Sequence, residues 1–175
     1  MLKNGQALLI RKLKRDDAKV VIDYMNIVNL ETKNLLREPD EFTMTVEEEA
    51  DFLEKRENSA NDVMYGGFVN HQLVSIAGFY GSQLKRIKHR VTIGMSVLKA
   101  YHGLGIGSFM METLIKAAKD LGKMKMELDV RVDNEAAIAL YKKYGFVIEG
   151  TLSNAIYVDQ KMVDLYVMGL HLLKD

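Results

Sequence analysis

The segment Val97-Leu98-Lys99-Ala100-Tyr101-His102-Gly103-Leu104-Gly105-Ile106-Gly107-Ser108 runs from a strand-like stretch through a glycine-rich turn straight into a helix, a junction that few folds can accommodate. The helix that follows carries Ile106, Met110, Leu114, Ala117 and Leu121 on one stripe, and Gly122 stands where a C-terminal glycine is favoured. A turn of this kind aims several backbone N–H groups into one concavity, and the positive end of the helix macrodipole adds attraction for an anion. Glycines suit it because a side chain would hold a phosphate off the backbone and because some turn angles need positive φ. The spacing excludes two common phosphate loops. Counted from Gly103 or Gly105, the last position of a G-x-G-x-x-G fingerprint falls on Ser108 or Met110, and Ile106-Gly107-Ser108 lacks the lysine of a Walker loop. Taken alone, the turn is equally compatible with glycines used only for tight strand-to-helix packing.

The flanking sequence places this junction in a mixed sheet. Leu8 to Leu13 reads as a first strand, and Asp16 as the cap of a helix with apolar Val21, Ile22, Met25 and Val28. Thr45-Val46-Glu47-Glu48 matches a capping box before a second helix that contains Ala50 and Leu53. Val63 to Val69, Leu73 to Tyr80 and Arg90 to Leu98 are rich in branched and aromatic residues, with Asn70 and His71 at a hairpin turn. The helix Ile106 to Leu121 is followed by a strand Lys125 to Val132 in which Met126, Leu128, Val130 and Val132 alternate with Lys125, Glu127, Asp129 and Arg131. A helix Glu135 to Tyr144 and two strands, Phe146 to Val158 and Lys161 to Leu172, complete the chain. Strands first and strand–helix alternation later imply an α/β (α+β) fold with helices flanking the sheet. Nothing divides residues 1–175, so a single domain is expected, and 48% apolar residues suffice for its core.

Composition removes several functions. Lysine plus arginine equal aspartate plus glutamate at 24 each, which leaves no bulk attraction for nucleic acid or an anionic membrane. The absence of cysteine excludes disulfides, thiolate nucleophiles and cysteine zinc sites. His71, His89, His102 and His171 lack metal-ligand spacing, and Gly105-Ile106-Gly107-Ser108-Phe109 is not a nucleophile elbow. Met1 to Arg15 lacks the apolar run of a signal peptide, and no segment is long enough to span a bilayer, so a cytoplasmic protein is expected. Met110, Met111, Met124 and Met126 read as core fillers, and Lys85, Arg86, Lys88, His89 and Arg90 as a solvated hairpin in preference to a ribose-phosphate site.

A second block, Val132-Asp133-Asn134-Glu135-Ala136-Ala137-Ile138-Ala139-Leu140-Tyr141-Lys142-Lys143-Tyr144-Gly145-Phe146-Val147-Ile148-Glu149-Gly150, reads as a helix capped by Asn134 and ended by Gly145. Together with His102-Gly103-Leu104-Gly105-Ile106-Gly107, it resembles the two cofactor-contacting regions of the GNAT N-acetyltransferase superfamily. The resemblance is closest to ribosomal-protein N-terminal and small-amine acetyltransferases. It implies a mostly antiparallel twisted sheet, splayed between a parallel fourth and fifth strand, with acetyl-CoA as co-substrate. His102, Gly103, Leu104, Gly105, Ile106, Gly107 and Ser108 would cradle the pyrophosphate, with His102 in place of the usual arginine or glutamine. Backbone N–H groups of Ser96, Val97 and Leu98 would serve the acetyl oxygen and pantetheine arm, Asn134 would contact the cofactor, and Tyr141 would protonate the departing thiolate. Related proteins often pair as homodimers.

The acceptor implied is a primary amine on a peptide N-terminus, a polyamine or another small molecule, met by the connections Asn29 to Phe42 and Ser153 to Lys161. Thr92 stands where related enzymes often carry an acid, leaving His89 and Glu31 as candidate bases. Two noncatalytic readings stand beside the enzyme: an acyl-CoA sensor and an interaction domain on the same fold.

Overall fold

The computed structural model describes residues 1–172, so the last three residues of the expected 1–175 domain lie outside the description. The strands are β1 (Leu9–Lys12), β2 (Val63–Val69), β3 (Gln72–Gly81), β4 (Arg90–Val97), β5 (Lys125–Arg131), β6 (Val147–Val158) and β7 (Lys161–His171). The helices are α1 (Ala18–Glu31), α2 (Val46–Glu57), α3 (Ile106–Asp120) and α4 (Glu135–Lys143). The strands form one seven-stranded sheet in the order β1-β2-β3-β4-β5-β7-β6, antiparallel throughout except between β4 and β5. This is the mixed, mostly antiparallel, helix-flanked architecture expected.

Two cores sandwich the sheet. Val21, Tyr24 and Val28 of α1 and Leu53 of α2 pack with Leu13, Phe68, Ile76 and Leu98 on one face. Met110, Met111 and Leu114 of α3 and Ile138 and Tyr141 of α4 pack with Val74, Phe79, Val91, Met126, Leu128 and Met168 on the other. The alternation of β5 explains its part: Met126, Leu128 and Val130 are buried under α3 and α4, which turns Glu127, Asp129 and Arg131 to the α1 side. Removal from water of an apolar side chain of this size contributes about 2 kcal/mol.

Local sequence rules account for most element ends. The Thr45 hydroxyl accepts the Glu48 N–H at 3.2 Å while the Glu48 carboxylate accepts the Thr45 N–H at 2.8 Å, closing the expected capping box. Asn70 and His71 both have positive φ, 48° and 67°, as a two-residue hairpin turn with matching twist requires. Three expectations need correction. Asp17, not Asp16, organises the entry to α1: its carboxylate reaches back to the Lys14 N–H at 2.9 Å and binds both terminal nitrogens of Arg11 at 2.7 Å. That fork holds the Asp17 carboxyl below its ordinary range. In α1 the large buried side chain is Tyr24 and not its neighbour Met25. Met124 and Leu121, at the α3–β5 turn, are exposed because the chain leaves the helix face there.

The feature that positions the site is the β4–β5 junction. The two strands pair only at Arg90 with Lys125, Val91 with Met126 and Thr92 with Glu127. Beyond these three pairs β4 continues to Val97 and β5 to Arg131 without pairing, which opens a fork in the middle of the sheet. No helix among the described residues is long and apolar enough to cross a membrane.

Candidate active site

At the open end of β4 the backbone is arranged to leave donors free. Leu98 gives its N–H to the Val74 carbonyl at 2.9 Å, and a tight turn follows in which Tyr101 N–H meets Leu98 O and His102 N–H meets Lys99 O. Gly103 (φ 76°) and Gly105 (φ 93°) are left-handed, a conformation that glycine adopts without steric cost. The N–H groups from Gly103 to Gly107 consequently find no partner among the described residues and converge ahead of α3. Gly107 also permits α4 to approach, since a Cβ there would lie 3.0 Å from Leu140 Cδ2. The Ser108 N–H is taken by the Gly105 carbonyl at 3.1 Å, whereas its hydroxyl lies 3.2 Å from Lys143 Nζ. Lys143, read from sequence only as a helix-end cation, thus stands at the rim of this anion cradle.

The direction of Leu98 sorts the strand donors. Its N–H faces β3, and alternation along β4 turns Ser96 the same way and Met95 and Val97 toward the fork. Of Ser96, Val97 and Leu98, the three residues expected to offer N–H groups, Val97 therefore has the fork-facing one. The Ser96 hydroxyl bonds Tyr24 Oη at 2.8 Å and fastens the strand to α1. His102 Nε2 lies 2.8 Å from the Val97 carbonyl oxygen.

Across the fork, Asn134 caps α4, its side-chain oxygen accepting the Ala137 N–H at 3.3 Å. Tyr141 is 9% exposed and packs on Phe146 with ring centroids 5.8 Å apart. Burial pushes its phenol up to about 12, and the hydroxyl has no hydrogen-bond partner among the described residues. It therefore keeps its proton at neutral pH and is free to donate it.

The α1 side of the fork carries small residues on β4 and acids on β5. Glu127 is engaged in ion pairs: Arg90 binds it at 3.0 Å, Lys125 Nζ lies 3.9 Å away, and Thr92 Oγ1 is 3.4 Å distant. Asp129, one alternation further along β5, has no ion-pair partner within the described residues. Although Asp129 is exposed in the open fork, partial desolvation of its carboxyl, and then the charge of Glu127, raise it above the ordinary value. Next on the same face, Arg131 binds Asp133 at 2.7 Å and the Lys33 carbonyl at 2.9 Å, and Lys33 Nζ pairs with Asp159 at 2.5 Å. The α1–α2 connection and the β6–β7 turn thus meet over the end of β5, beside a cavity of about 470 Å³ lined in part by Lys33, Arg131 and Asn134.

The two candidate bases lie elsewhere. Glu31 spends its carboxylate on the Lys99 N–H at 2.7 Å, steadying the turn before the cradle. His89 sits just before β4, at the paired end, where its carbonyl takes the Met124 and Lys125 N–H groups. The basic run Lys85 to Arg90 shares that end, about 23 Å of strand from Val97 at ~3.3 Å per residue, away from the cradle. Glu127 and Asp129 escaped sequence reasoning because an alternating charged strand reads as a solvated face.

The sequence profile of the acetyltransferase (GNAT) family matches residues 29–146. The L-amino acid N-acetyltransferase of Escherichia coli is 33% identical over 105 residues, which cover 59% of this chain and 62% of that protein. An N-alpha-acetyltransferase of Sulfurisphaera tokodaii is 36% identical over 84 residues, 47% of this chain and 48% of its own length. The matched segments therefore span about half to three-fifths of these curated relatives. In structure, an acetyltransferase of the GNAT family from Streptococcus pneumoniae superposes with a TM-score of 0.91 at 34% identity, over 94% of this chain and 99% of that one.

Proposed function

Because the chain belongs to the GNAT acetyltransferase family, we propose that it transfers the acetyl group of acetyl-CoA to the α-amino group of an amino acid or peptide. The observation that carries this reading is the fork: β4 and β5 part after three pairs, between an anion cradle on one strand's exit and a buried, unpartnered phenol beyond the other.

Acetyl-CoA supplies an activated thioester, with a diphosphate suited to the cradle and an amide-bearing arm suited to a strand edge. The N–H groups of Gly103 to Gly107, the start of α3 and Lys143 hold the diphosphate. The Val97 N–H, facing the fork, stabilises the charge that develops on the acetyl oxygen, and Asn134 has its amide NH₂ left for the arm. Tyr141 gives its proton to the sulfur as the thiol leaves. Asp129 draws in the acceptor's ammonium and relays its proton away, directly or through water.

The state of the acids supports an α-amine over a polyamine or lysine side chain. The α-amino group of a peptide has a pKa of about 7.7–8.0 against about 10.4 for an ε-ammonium, so at neutral pH a peptide N-terminus needs far less help to free its lone pair. A free amino acid, whose carboxylate stabilises its ammonium, lies between the two. With Glu127 tied up in ion pairs and Thr92 unable to act as a base, one carboxylate suffices for an α-amine more readily than for an ε-ammonium. The activities named for the two curated relatives, on amino acids and N-terminal α-amines, point the same way. Thiol release should rise above the hydrolytic background with amino acids or short peptides and respond weakly to spermidine. CoA binding without amine-stimulated release from any of these would favour an acyl-CoA sensor instead.

A homodimer through the last strands is the second element of the proposal. β6 is a twelve-residue edge strand that leaves Val147, Ile148 and Leu152 exposed, and Tyr157 and Met162 continue the apolar surface onto its turn with β7. Light scattering on the purified chain should give twice the monomer mass, and Leu152→Lys should halve it; a wild-type monomer would refute the pairing.

A further inference from the structure

We propose that His102 is a positioning residue that clamps the end of β4 for the pantetheine arm, and is not a ligand of the pyrophosphate. The inference rests on the acetyl-CoA reading of the fork. His102 occupies the first position of the cradle motif, where an arginine or glutamine would be expected to reach the anion. Its imidazole instead turns back along the chain, Nε2 standing 2.8 Å from the carbonyl oxygen of Val97. A carbonyl can only accept, so Nε2 carries the proton and, in the neutral ring, Nδ1 is the bare nitrogen. A lone pair is the wrong group to present to a phosphate, and the cradle already holds the N–H groups of Gly103 to Gly107 with Lys143 at its rim.

What the bond does follows from where Val97 lies. It is the last residue of β4, five residues past the final pairing with β5 at Thr92, and its peptide groups face the fork. The strand end is held on its β3 side by the Leu98 N–H bond to Val74, and on α1 by Tyr24 to Ser96, at 2.9 and 2.8 Å. Nothing in β5 holds it from the fork side. The imidazole, brought over the strand by the bond from the His102 N–H to the Lys99 carbonyl, supplies that third hold and fixes the plane of the Val97–Leu98 peptide. A ligand amide pairing with this edge then meets a strand already in place.

Truncated ligands separate the two roles. Dissociation constants of wild type and His102→Ala are measured by calorimetry for CoA, for S-acetylpantetheine, which lacks the diphosphate, and for adenosine 3′-phosphate 5′-diphosphate, which keeps the diphosphate and lacks the arm. His102 is exposed, so the variant should keep its circular dichroism. The clamp predicts CoA and S-acetylpantetheine weakened by about 5- to 10-fold, the range of one hydrogen bond, with the nucleotide diphosphate unchanged. A loss confined to CoA and the nucleotide diphosphate, or no loss for any ligand, would overturn it. Nitrogen-15 NMR of the free protein gives an independent reading, with an Nε2–H tautomer expected at His102 and an Nδ1–H tautomer excluding the clamp. Failure of the wild type itself to bind CoA would refute the acetyl-CoA reading before any substitution was compared.

Discussion

Tyr141→Phe should lower kcat by about 10²- to 10⁴-fold, the usual contribution of a positioned proton donor, while CoA affinity stays within about twofold. The phenyl ring keeps the packing on Phe146 and the contacts of α4 with the core, so nothing that binds the donor substrate is removed. The lost atom is a hydroxyl without a protein partner among the described residues, on a buried ring whose pKa is pushed up to about 12. Melting temperature should therefore hold, since no protein hydrogen bond is lost with the hydroxyl. Single-turnover thiol release and calorimetric titration on the same preparation check the two halves. A variant that turns over within about tenfold of wild type would remove Tyr141 from the chemistry and leave it as a packing residue.

Asp129→Asn should produce the second large effect, a fall of about 10²-fold in kcat/KM for the amine, with a small gain in thermal stability. The signs follow from one fact: the fold raises the carboxyl above its ordinary value, through partial desolvation and the neighbouring Glu127. A raised carboxyl favours its protonated form when folded, so its contribution to stability is present below the unfolded pKa and is lost as pH rises through the folded one. At neutral pH the ionised group weakens the fold, and a neutral amide relieves it. Activity runs the other way, because the base must be ionised: kcat/KM should fall as pH drops through the raised Asp129 value, and Asp129→Asn should erase that limb. Unchanged kcat/KM in the variant, or an acid limb that survives the substitution, would shift the role to another group.

Periodicity made the frame of this protein legible. The stripe of α3 and the strict alternation of β5 named their buried faces residue by residue, because each element has one neighbour layer to satisfy. The cradle was legible too, since its two left-handed glycines are the kind of position where other residues strain the backbone. Asp129 was hidden for the same reason that β5 was clear. Alternation says which residues leave the core, but not that β4 swings away after Thr92 and leaves two of them lining a groove. Caps were blurred by proximity: Asp16 and Asp17 read alike until Arg11 of β1 selects one. Tyr24 needed the third dimension, its hydroxyl being tolerated in the core because Ser96, seventy-two residues away, receives it.

The three pairs between β4 and β5 also make the sheet mechanically uneven. Strands β1 to β4 and strands β5 to β7 are each laced by antiparallel ladders, yet the stitching between the two halves of the sheet is confined to those three rungs and the His89 carbonyl beside them. The protein is thus built as two stiff plates around a seam, bridged from one side by α3 and α4. A molecule lying in the seam would take the position of the missing rungs, so that rigidity would become a property the protein shares with its ligand, gained on loading and surrendered on release.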